Sequence, residues 1–545
     1  MEQELKLQIL DPSPAAWTKI SQHPLLALGT TSPLQLHAFY YDSRDGALQR
    51  ARLAYRVRRE GKEWVATLKA EGQSTGGLHQ RPEWNVTIFS SEADLRVFTD
   101  PDAVALLTPF LGLVLQVILE TRFERLESRV DRVDGSQILV ALDRGEIVAN
   151  GGLREPILEV ELELAAGEAA AVLEMGAELC LDLPLLPDGE SKMLRGLRLA
   201  GLIPAEVGAM RYQTPPLRRH ENAGKAFSRL LIQQSQQAIS EARRHSADNS
   251  TKTLHQLRKT VRSLRALLRF CRALDADNRL ASTAQELADW FHQQNIRRDH
   301  EVLAMYWEAL ATATGSEVIP LHSWLIEQAE ATPAHLGQCV AAILKLWARL
   351  LRAALYSDQD LQHYAEMHLR RQDRQLMAAG AVAKTATSFH ALRIRIKNWR
   401  YVIIALGDIW PSKDSKTLLK LLSSLQEISG AVHDADMAGQ HLAGLATSRK
   451  HGLAFSAGML MGYLHARESR QRKQVFNPTP RACVRSYAQS RQFRGPDNIA
   501  VLLLPTRAPA PDHKCQCRRP APVADSSGSR LRNPPPRRSG YCPKH

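Results

Sequence analysis

Two hydrophobic rhythms divide the chain. From the start to about residue 205, apolar and polar side chains alternate in short runs separated by turn residues, as in strands with one buried face. The runs are Leu34–Asp42, Ala51–Arg59, Glu63–Ala70, Glu83–Phe89, Leu113–Arg125, Arg129–Val133, Gln137–Leu142, Glu146–Val148 and Ile157–Leu164, with Asp134-Gly135 as a hairpin turn. Asp94–Leu107 and Ala169–Leu181 carry helical spacing instead. Near Gln213-Thr214-Pro215-Pro216 the strand signals stop, and residues 220–470 read as helices rich in Leu, Ala, Arg and Gln. From 471 to 545 Pro, Arg, Ser and Gly dominate with little periodicity beyond Ile499–Leu504, so this stretch is expected to be disordered. The pattern predicts an α+β multidomain chain: a β-rich domain over 1–205, a linker over 206–219, an all-α domain over 220–470 and a tail over 471–545. Helical pattern is lost abruptly after Arg472-Lys473, which suggests a frameshift.

Charge sharpens these boundaries. Of 545 residues, 71 are Lys or Arg and 57 Asp or Glu, a net charge of +14. Residues 1–216 hold 22 basic and 31 acidic side chains (−9), residues 217–470 hold 34 and 23 (+11), and residues 471–545 hold 15 and 3 (+12). The overall balance resembles a nucleic-acid binder, yet it describes none of the three parts. Only Cys180, Cys271 and Cys339 precede the tail, which is no disulfide framework and fits a reducing compartment. Cys515-x-Cys517 with His513 lacks a second pair at zinc-finger spacing. No basic-then-apolar signal opens the sequence, and the longest apolar stretch, roughly Pro109 to Leu119, is too short to span a bilayer. A cytoplasmic protein without a membrane partner is expected.

The polar positions of the first domain carry the chemistry. Glu2, Glu4 and Lys6 share one face of a strand, opposite Gln3, Leu5 and Leu7. Arg56 and Arg58 alternate with Tyr55 and Val57; Lys69 ends the next run, and Arg81 and Glu83 begin another. Arg122 stands beside Glu120 and Glu124, while Glu159, Glu161 and Glu163 alternate with Val160, Leu162 and Leu164. A wet sheet face explains any one run. Two features together favour a closed barrel with charge turned inward. The opposite faces are apolar enough to pack on helices, and one strand carries only carboxylates where another carries only guanidinium groups. Such a bore would have an anionic sector for metal ions and a cationic sector for phosphate oxygens.

These residues resemble the CYTH, or triphosphate tunnel metalloenzyme, family. Glu2-x-Glu4-x-Lys6 matches its opening signature. Tyr40-Tyr41-Asp42, Trp64–Lys69, Asp143-Arg144-Gly145-Glu146, Glu159-x-Glu161-x-Glu163 and Ser191-Lys192 follow in the expected order over 1–200. The resemblance implies an eight-stranded antiparallel tunnel that binds a linear triphosphate with Mg²⁺ or Mn²⁺. It implies Glu2, Glu4, Asp143, Glu159, Glu161 and Glu163 as metal ligands. It implies Lys6, Arg56, Arg58, Lys69, Arg81, Arg122, Arg144 and Lys192 as phosphate contacts. Glu2, Glu4, Lys6, Glu83 and Lys192 are then the catalytic group, with Glu83 for a second metal or for orienting water. No Gly-rich phosphate loop and no Ser-His-Asp or Cys-His set competes with this reading.

The helical domain repeats itself. His255, Arg258, Arg262 and Arg265 stand at i, i+3, i+7 and i+10; His390, Arg393, Lys397 and Arg400 have the same spacing 135 residues later. Arg298-Asp299 and His433-Asp434 are also 135 apart, which points to a duplicated helical unit. Each motif is a cationic stripe about three turns long, and Arg269 continues the first. Ser250 to Cys271 and Ser388 to Leu406 contain no Asp or Glu, so an anionic partner explains the stripes better than a solvated face. Each histidine fits a metal ligand, a phosphate donor or a packed helix start, and phosphate donor is preferred. Asp299 and Asp434 are expected to pair with stripe arginines. These segments resemble the CHAD (conserved-histidine α-helical) family, with His433 where an Asn is expected. The resemblance implies two helical bundles that bind inorganic polyphosphate; nucleic acid is the disfavoured polyanion.

Together the residues lead to a metal-dependent hydrolase that cleaves inorganic triphosphate to pyrophosphate and phosphate, resembling bacterial CYTH–CHAD inorganic triphosphatases. Adenylate cyclase, a thiamine or nucleoside triphosphatase, and a non-catalytic polyphosphate-binding protein are the alternatives.

Overall fold

Strict alternation makes strands of the N-terminal runs, and a computed structural model describes residues 2–28, 32–204, 216–381, 385–409, 412–448 and 451–476. The strands are β1 (Glu2–Ile9), β2 (Leu34–Ser43), β3 (Ala54–Glu60), β4 (Glu63–Lys69), β5 (Gln73–Thr75), β6 (Leu78–Arg81), β7 (Glu83–Ile88), β8 (Leu115–Asp131), β9 (Gln137–Ala149), β10 (Arg154–Ala166) and β11 (Leu185–Pro187). They form one antiparallel sheet in the order β5-β6-β1-β10-β9-β8-β2-β3-β4-β7, with β11 on β1. β6 and β7 are consecutive in the chain, separated only by Pro82, and pair with β1 and β4 at opposite ends of that order. The chain itself therefore closes the sheet into a tunnel, and Pro82 sits where no ladder hydrogen bond is required. Counting β6 and β7 as one wall strand leaves eight walls, with the three-residue β5 and β11 beside them.

Two pairs of runs read as separate strands merge: β8 joins most of Leu113–Arg125 and Arg129–Val133 but begins at Leu115 and ends at Asp131, and β9 covers Gln137–Leu142 and Glu146–Val148. Between β8 and β9, Gly135 takes the left-handed conformation (φ +83°) that a tight hairpin requires.

Outside the tunnel the apolar faces are covered by helices. Leu5, Leu7, Val140, Leu142, Val160 and Leu162 pack on α4 (Ala169–Asp182), while Tyr55, Val57, Ala66 and Leu68 pack on α3 (Pro101–Leu107). Two short helices, α1 (Pro14–Ser21) and α2 (Ala47–Arg50), follow β1 and β2, and α5 (Lys192–Leu199) lies across β8, β9 and β10.

The helical domain comprises α6 (Ala223–Asp248), α7 (Thr251–Phe270), α8 (Ala281–Gln293), α9 (Asn295–Thr314), α10 (Ile319–Glu330), α11 (Leu336–Arg352), α12 (Leu361–Ala381), α13 (Ala386–Ala405), α14 (Ser412–Ala446) and α15 (His451–Phe476). Adding 135 to the bounds of α7 (251 and 270) gives 386 and 405, those of α13. The same shift lays α6 on α12, the broken pair α8–α9 on the unbroken α14, and α10 on α15. Equivalent helices also touch: α6 with α12, α7 with α13, α9 with α14, and α10 with α15. That is the packing of a pseudo-twofold. Among the described residues there are two helical cores, and each draws on both copies. The larger unites α6, α7 and α8 with α12, α13 and the start of α14; the smaller unites α9 and α10 with the end of α14 and α15.

Helix α11 joins the domains. It lies along α4, where Gly337 is needed because a Cβ there would come within 2.2 Å of the Cys180 carbonyl oxygen. Leu5 and Leu344 both approach Gly176, so the apolar core is continuous from the tunnel wall into the helices. Arg352 adds ion pairs to Glu168 (2.8 Å), Glu174 (2.8 Å) and Asp134. Among the described residues no helix is long and apolar enough to cross a membrane. The tail expected to be disordered lies outside the described residues from 477 onward, as does most of the expected linker, 205–215; helix α15 continues past 470.

Candidate functional site

Inward-facing positions of β1, β3, β4, β6, β7, β8 and β10, together with Lys192 of α5, line a cavity of about 120 Å³. Its lining is mostly ionic: Glu2, Glu4, Lys6, Arg56, Arg58, Lys69, Arg81, Glu83, Arg125, Glu161, Glu163 and Lys192. Pairing of β1 with β10 sets Glu4 opposite Glu163, Lys6 opposite Glu161 and Gln8 opposite Glu159, and β9 places Asp143 opposite Glu159. Oxygens of Asp143, Glu159 and Glu161 consequently lie within 4.8 Å of one another.

Cations hold this cluster together. Lys192 Nζ is 2.8 Å from both Asp143 and Glu161 and also bonds Glu159. Arg125 donates to both oxygens of Asp143 (2.6 and 2.7 Å) and to Glu161 (2.6 Å). Lys6 Nζ stands 3.4 Å from Glu161 and 3.6 Å from Glu159. Burial works against charging these groups, but the opposite charges outweigh it: Glu161 is held well below the usual carboxylate range, and Lys6 and Lys192 are pushed up. Arg195 of α5 adds a 3.3 Å hydrogen bond to Glu159 Oε2 and a 2.6 Å bond to Glu155.

Glu4 is the exception. Its Oε1 is buried without a hydrogen-bond partner, and burial and the repulsion of Glu161 push its carboxyl up to about 8. Glu2, by contrast, pairs with Lys69 (2.9 Å) and Arg81 (2.8 Å), which outweigh its burial and lower it; Lys69 also bonds Glu83 (2.6 Å). Toward Arg56 and Arg58 carboxylates are scarce. Arg56 bonds Thr67 (3.3 Å) and leaves Nε unpartnered; Arg58 has Glu60 beside it, yet burial and the nearby Arg56 and Arg125 lower it to about 10. The bore thus carries an acid cluster at one side and an arginine pair with fewer carboxylates at another, where burial is outweighed by Tyr40 and Glu83, which raise Arg56.

A second ionic surface lies where α7 meets α13. Arg258, Arg262 and Arg265 gather about the Phe291 ring at 4.2, 4.9 and 5.0 Å, and Arg269 donates to Asn398 across the pseudo-twofold (3.3 Å). Among the described residues, no carboxylate lies within 4.0 Å of the charged groups of Arg258, Arg262, Arg265, Arg393, Lys397 or Arg400. Uncompensated crowding shows in the equilibria. Burial, then Arg393 and Arg262, pull Lys397 down to about 6; burial, then Arg262 and Arg298, pull Arg258 down to about 9. His255 and His433 are each lowered to about 4, burial first, and the His433 ring lies 5.2 Å from that of His390.

Family comparison agrees with this geometry. Residues 3–197 match the CYTH domain model and residues 226–443 the CHAD domain model. The chain carries a CYTH domain followed by a CHAD domain. It is 33% identical over 207 residues to the inorganic triphosphatase of Haemophilus influenzae, covering 36% of this chain and 54% of that protein. The chain thus spans about half the length of that relative. Among solved structures, the CHAD domain from Ricinus communis matches at 22% identity with a TM-score of 0.40, covering 49% of this chain and 93% of that one. An adenylyl cyclase-like protein from Hippeastrum, described as having a dominant triphosphatase activity, matches at 20% identity with a TM-score of 0.28, covering 38% and 99%.

The CYTH tunnel brings together most of the residues singled out from sequence, but not Arg122 or Arg144. Both lie on the outer face of the wall with about half of their side chains exposed, Arg122 on Glu120 and Arg144 on Glu124 and the Trp17 ring. The reason is strand parity: Thr121, Phe123 and Arg125 turn inward, so residues 120, 122 and 124 must turn outward. Arg125 is the residue that sequence reasoning missed, and its place two residues from apolar Phe123 was the available signal. Arg195 was missed as well; its i+3 spacing from Lys192 on one helix face could have suggested it. In the CHAD domain the expected pairing of Asp299 and Asp434 with stripe arginines is replaced. Asp299 faces His441 (3.5 Å), and Asp434 accepts from Tyr306 (2.7 Å) with Arg467 at 3.4 Å. Both side chains still lie close enough to act electrostatically on Arg393.

Proposed function

We propose that the CYTH tunnel hydrolyses inorganic triphosphate to pyrophosphate and phosphate with Mg²⁺ or Mn²⁺, and that the CHAD groove binds longer polyphosphate. One observation carries the reading: a single closed bore contains three clustered carboxylates and, apart from them, two arginines with few acidic neighbours. Breaking a phosphoanhydride requires positioning and charge neutralisation more than covalent help, and these residue types supply both. Arg56 and Arg58 bind and orient the phosphate chain through forked guanidinium groups.

Asp143, Glu159 and Glu161 offer the hard oxygen donors that Mg²⁺ or Mn²⁺ takes, and the Glu4 oxygen, without a hydrogen bond and 4.0 Å from Lys6 Nζ, is a further donor beside them. Such a metal would neutralise phosphoryl oxygens and lower the pKa of a bound water. Glu4, with its carboxyl near neutrality, can hold or release a proton there. Lys6, Lys192 and Arg125 neutralise the carboxylates and stand ready to contact phosphate. Lys69 and Arg81 fix Glu2, and Glu83 is placed beside them to orient water.

The small size of the cavity, about 120 Å³, supports a compact inorganic substrate over a nucleotide, since pockets for organic ligands commonly exceed about 300 Å³. Identity to the Haemophilus influenzae inorganic triphosphatase supports the same choice. Phosphate release from tripolyphosphate, ATP and thiamine triphosphate, each with Mg²⁺, tests it. Fastest turnover of tripolyphosphate is expected; preference for either organic triphosphate would overturn the substrate assignment, and no turnover of any would overturn the activity.

For the CHAD groove, a row of cations without carboxylate partners supports a flexible polyanion as ligand, and binding should weaken steeply with salt. Competition between polyphosphate and RNA at fixed salt distinguishes the two polyanions.

A further inference from the structure

Helix α6 of the CHAD domain reaches the tunnel where strand β1 is anchored. Lys6 is held through its backbone: its N–H donates to Gly77 (3.0 Å), and its carbonyl accepts from the Asp188 N–H (2.9 Å). Both flanking loops rest on α6. A Cβ at Gly76 (φ +57°) would stand 3.3 Å from Ile239 Cδ1 and 3.5 Å from Gln236 Cα. Asp188 is only 4% exposed and presents its carboxylate to the same helix. Oδ2 accepts from Arg243 Nη2 at 3.2 Å, while Oδ1 accepts from the Glu190 N–H at 3.2 Å and so folds the turn. Immediately after this turn Ser191 caps α5, and Lys192 enters the tunnel among Asp143, Glu159 and Glu161. The turn that delivers Lys192 thus depends on a buried carboxylate neutralised from the other domain.

We propose that Arg243 of the CHAD domain is a positioning residue for hydrolysis in the CYTH tunnel, acting through Asp188 on Lys192 and Lys6. This rests on the hydrolytic reading above. Removing the cation leaves Asp188 buried with only the more distant charge of Arg195 to offset it, and the turn relaxes toward water. Displacement of a substrate-facing group by about 1 Å can cost on the order of 100-fold in rate. By this account the CHAD domain supports catalysis directly, whatever its groove binds.

The test uses the full chain with tripolyphosphate and Mg²⁺, comparing R243M, R243K and D188N with R352A, which breaks domain-bridging ion pairs that do not line the tunnel. R243M and D188N are expected to lower kcat roughly 10-fold with little change in KM. R243K should recover most of the loss, and the double variant R243M/D188N should be no worse than either single one. R352A should keep wild-type kcat. Long-chain polyphosphate binding of R243M should match wild type, which shows that the CHAD domain stays folded. An active wild type with R243M within two-fold of it would overturn the positioning role alone. R352A losing as much as R243M would also overturn it, since generic undocking would then suffice. An inactive wild type would overturn the hydrolytic reading and this inference with it.

Discussion

The buried lysines of the tunnel and the half-buried lysine of the groove are displaced in opposite directions. Lys6 and Lys192 are surrounded by carboxylates and hold their protons more firmly than a free lysine. Lys397 is surrounded by Arg393, Arg262 and Arg258 and is brought down to about 6. Burial acts the same way on all three, so the neighbours decide. The tunnel is internally compensated: a metal entering it competes with its own lysines for Asp143, Glu159 and Glu161. The groove is under-compensated, with Asp434 and Asp299 acting only from beyond ion-pair distance, and an arriving polyanion supplies the missing charge. One architecture suits turnover of a short substrate with a metal; the other suits retention of a long one without.

The sharpest way to separate the two is to disable one. Glu161→Gln removes a carboxylate bonded to Lys192 and Arg125, and turnover of tripolyphosphate should fall at least roughly 100-fold, with polyphosphate binding unchanged. Phosphate-release kinetics beside a binding titration check this. Loss of both would mean that the surfaces are not independent.

How much of this contrast could be read from sequence depends on whether parity or partnership was at issue. Glu2-x-Glu4-x-Lys6 and Glu159-x-Glu161-x-Glu163 were legible because apolar residues alternate cleanly with the charges, so one face is dictated. The run from Glu120 to Arg125 was not, because polar and charged residues occupy both faces; only the inward turn of Phe123 selects Arg125 over Arg122. The repeat of 135 was legible in spacing, down to the bounds of α7 and α13. What no spacing could reveal is which groups meet. Arg195 reaches Glu159 across 36 residues, and Arg243 reaches Asp188 across 55. The break between α8 and α9 at Gln294, with no Gly or Pro, was equally silent, since α14 runs through the equivalent position.

Charge reversal in the groove is the mirror experiment. Arg262→Glu with Lys397→Glu should weaken long-chain polyphosphate binding on the order of 100-fold and flatten its salt dependence, while tripolyphosphate hydrolysis stays within about two-fold. Titration at several salt concentrations measures both. Unchanged affinity would place the polyanion elsewhere.

Smaller and of opposite sign are the two pH effects. Lys397 is largely neutral above about pH 6 in the free protein, and a bound polyanion favours its charged form. Binding should therefore take up a proton, and affinity should fall as pH rises above 6, by up to about ten-fold per unit from this group. Lys397→Arg should flatten that slope. The same depressed value makes folding stability rise with pH above about 6, because the unfolded chain then binds the proton better. Glu4 runs the other way: its carboxyl is protonated below about 8, so metal affinity should rise with pH up to that point, and Mn²⁺ addition at pH 7 should release a proton. Calorimetry in buffers of different ionisation enthalpy reads both proton balances; the same sign for both would break the comparison.

The most direct measurement is an anomalous-scattering crystal structure of the full chain soaked with Mn²⁺ and tripolyphosphate. The account predicts manganese bounded by Asp143, Glu159 and Glu161, with the phosphate chain extending from it toward Arg56 and Arg58. Manganese absent from those carboxylates, with tripolyphosphate found only between α7 and α13, would contradict it.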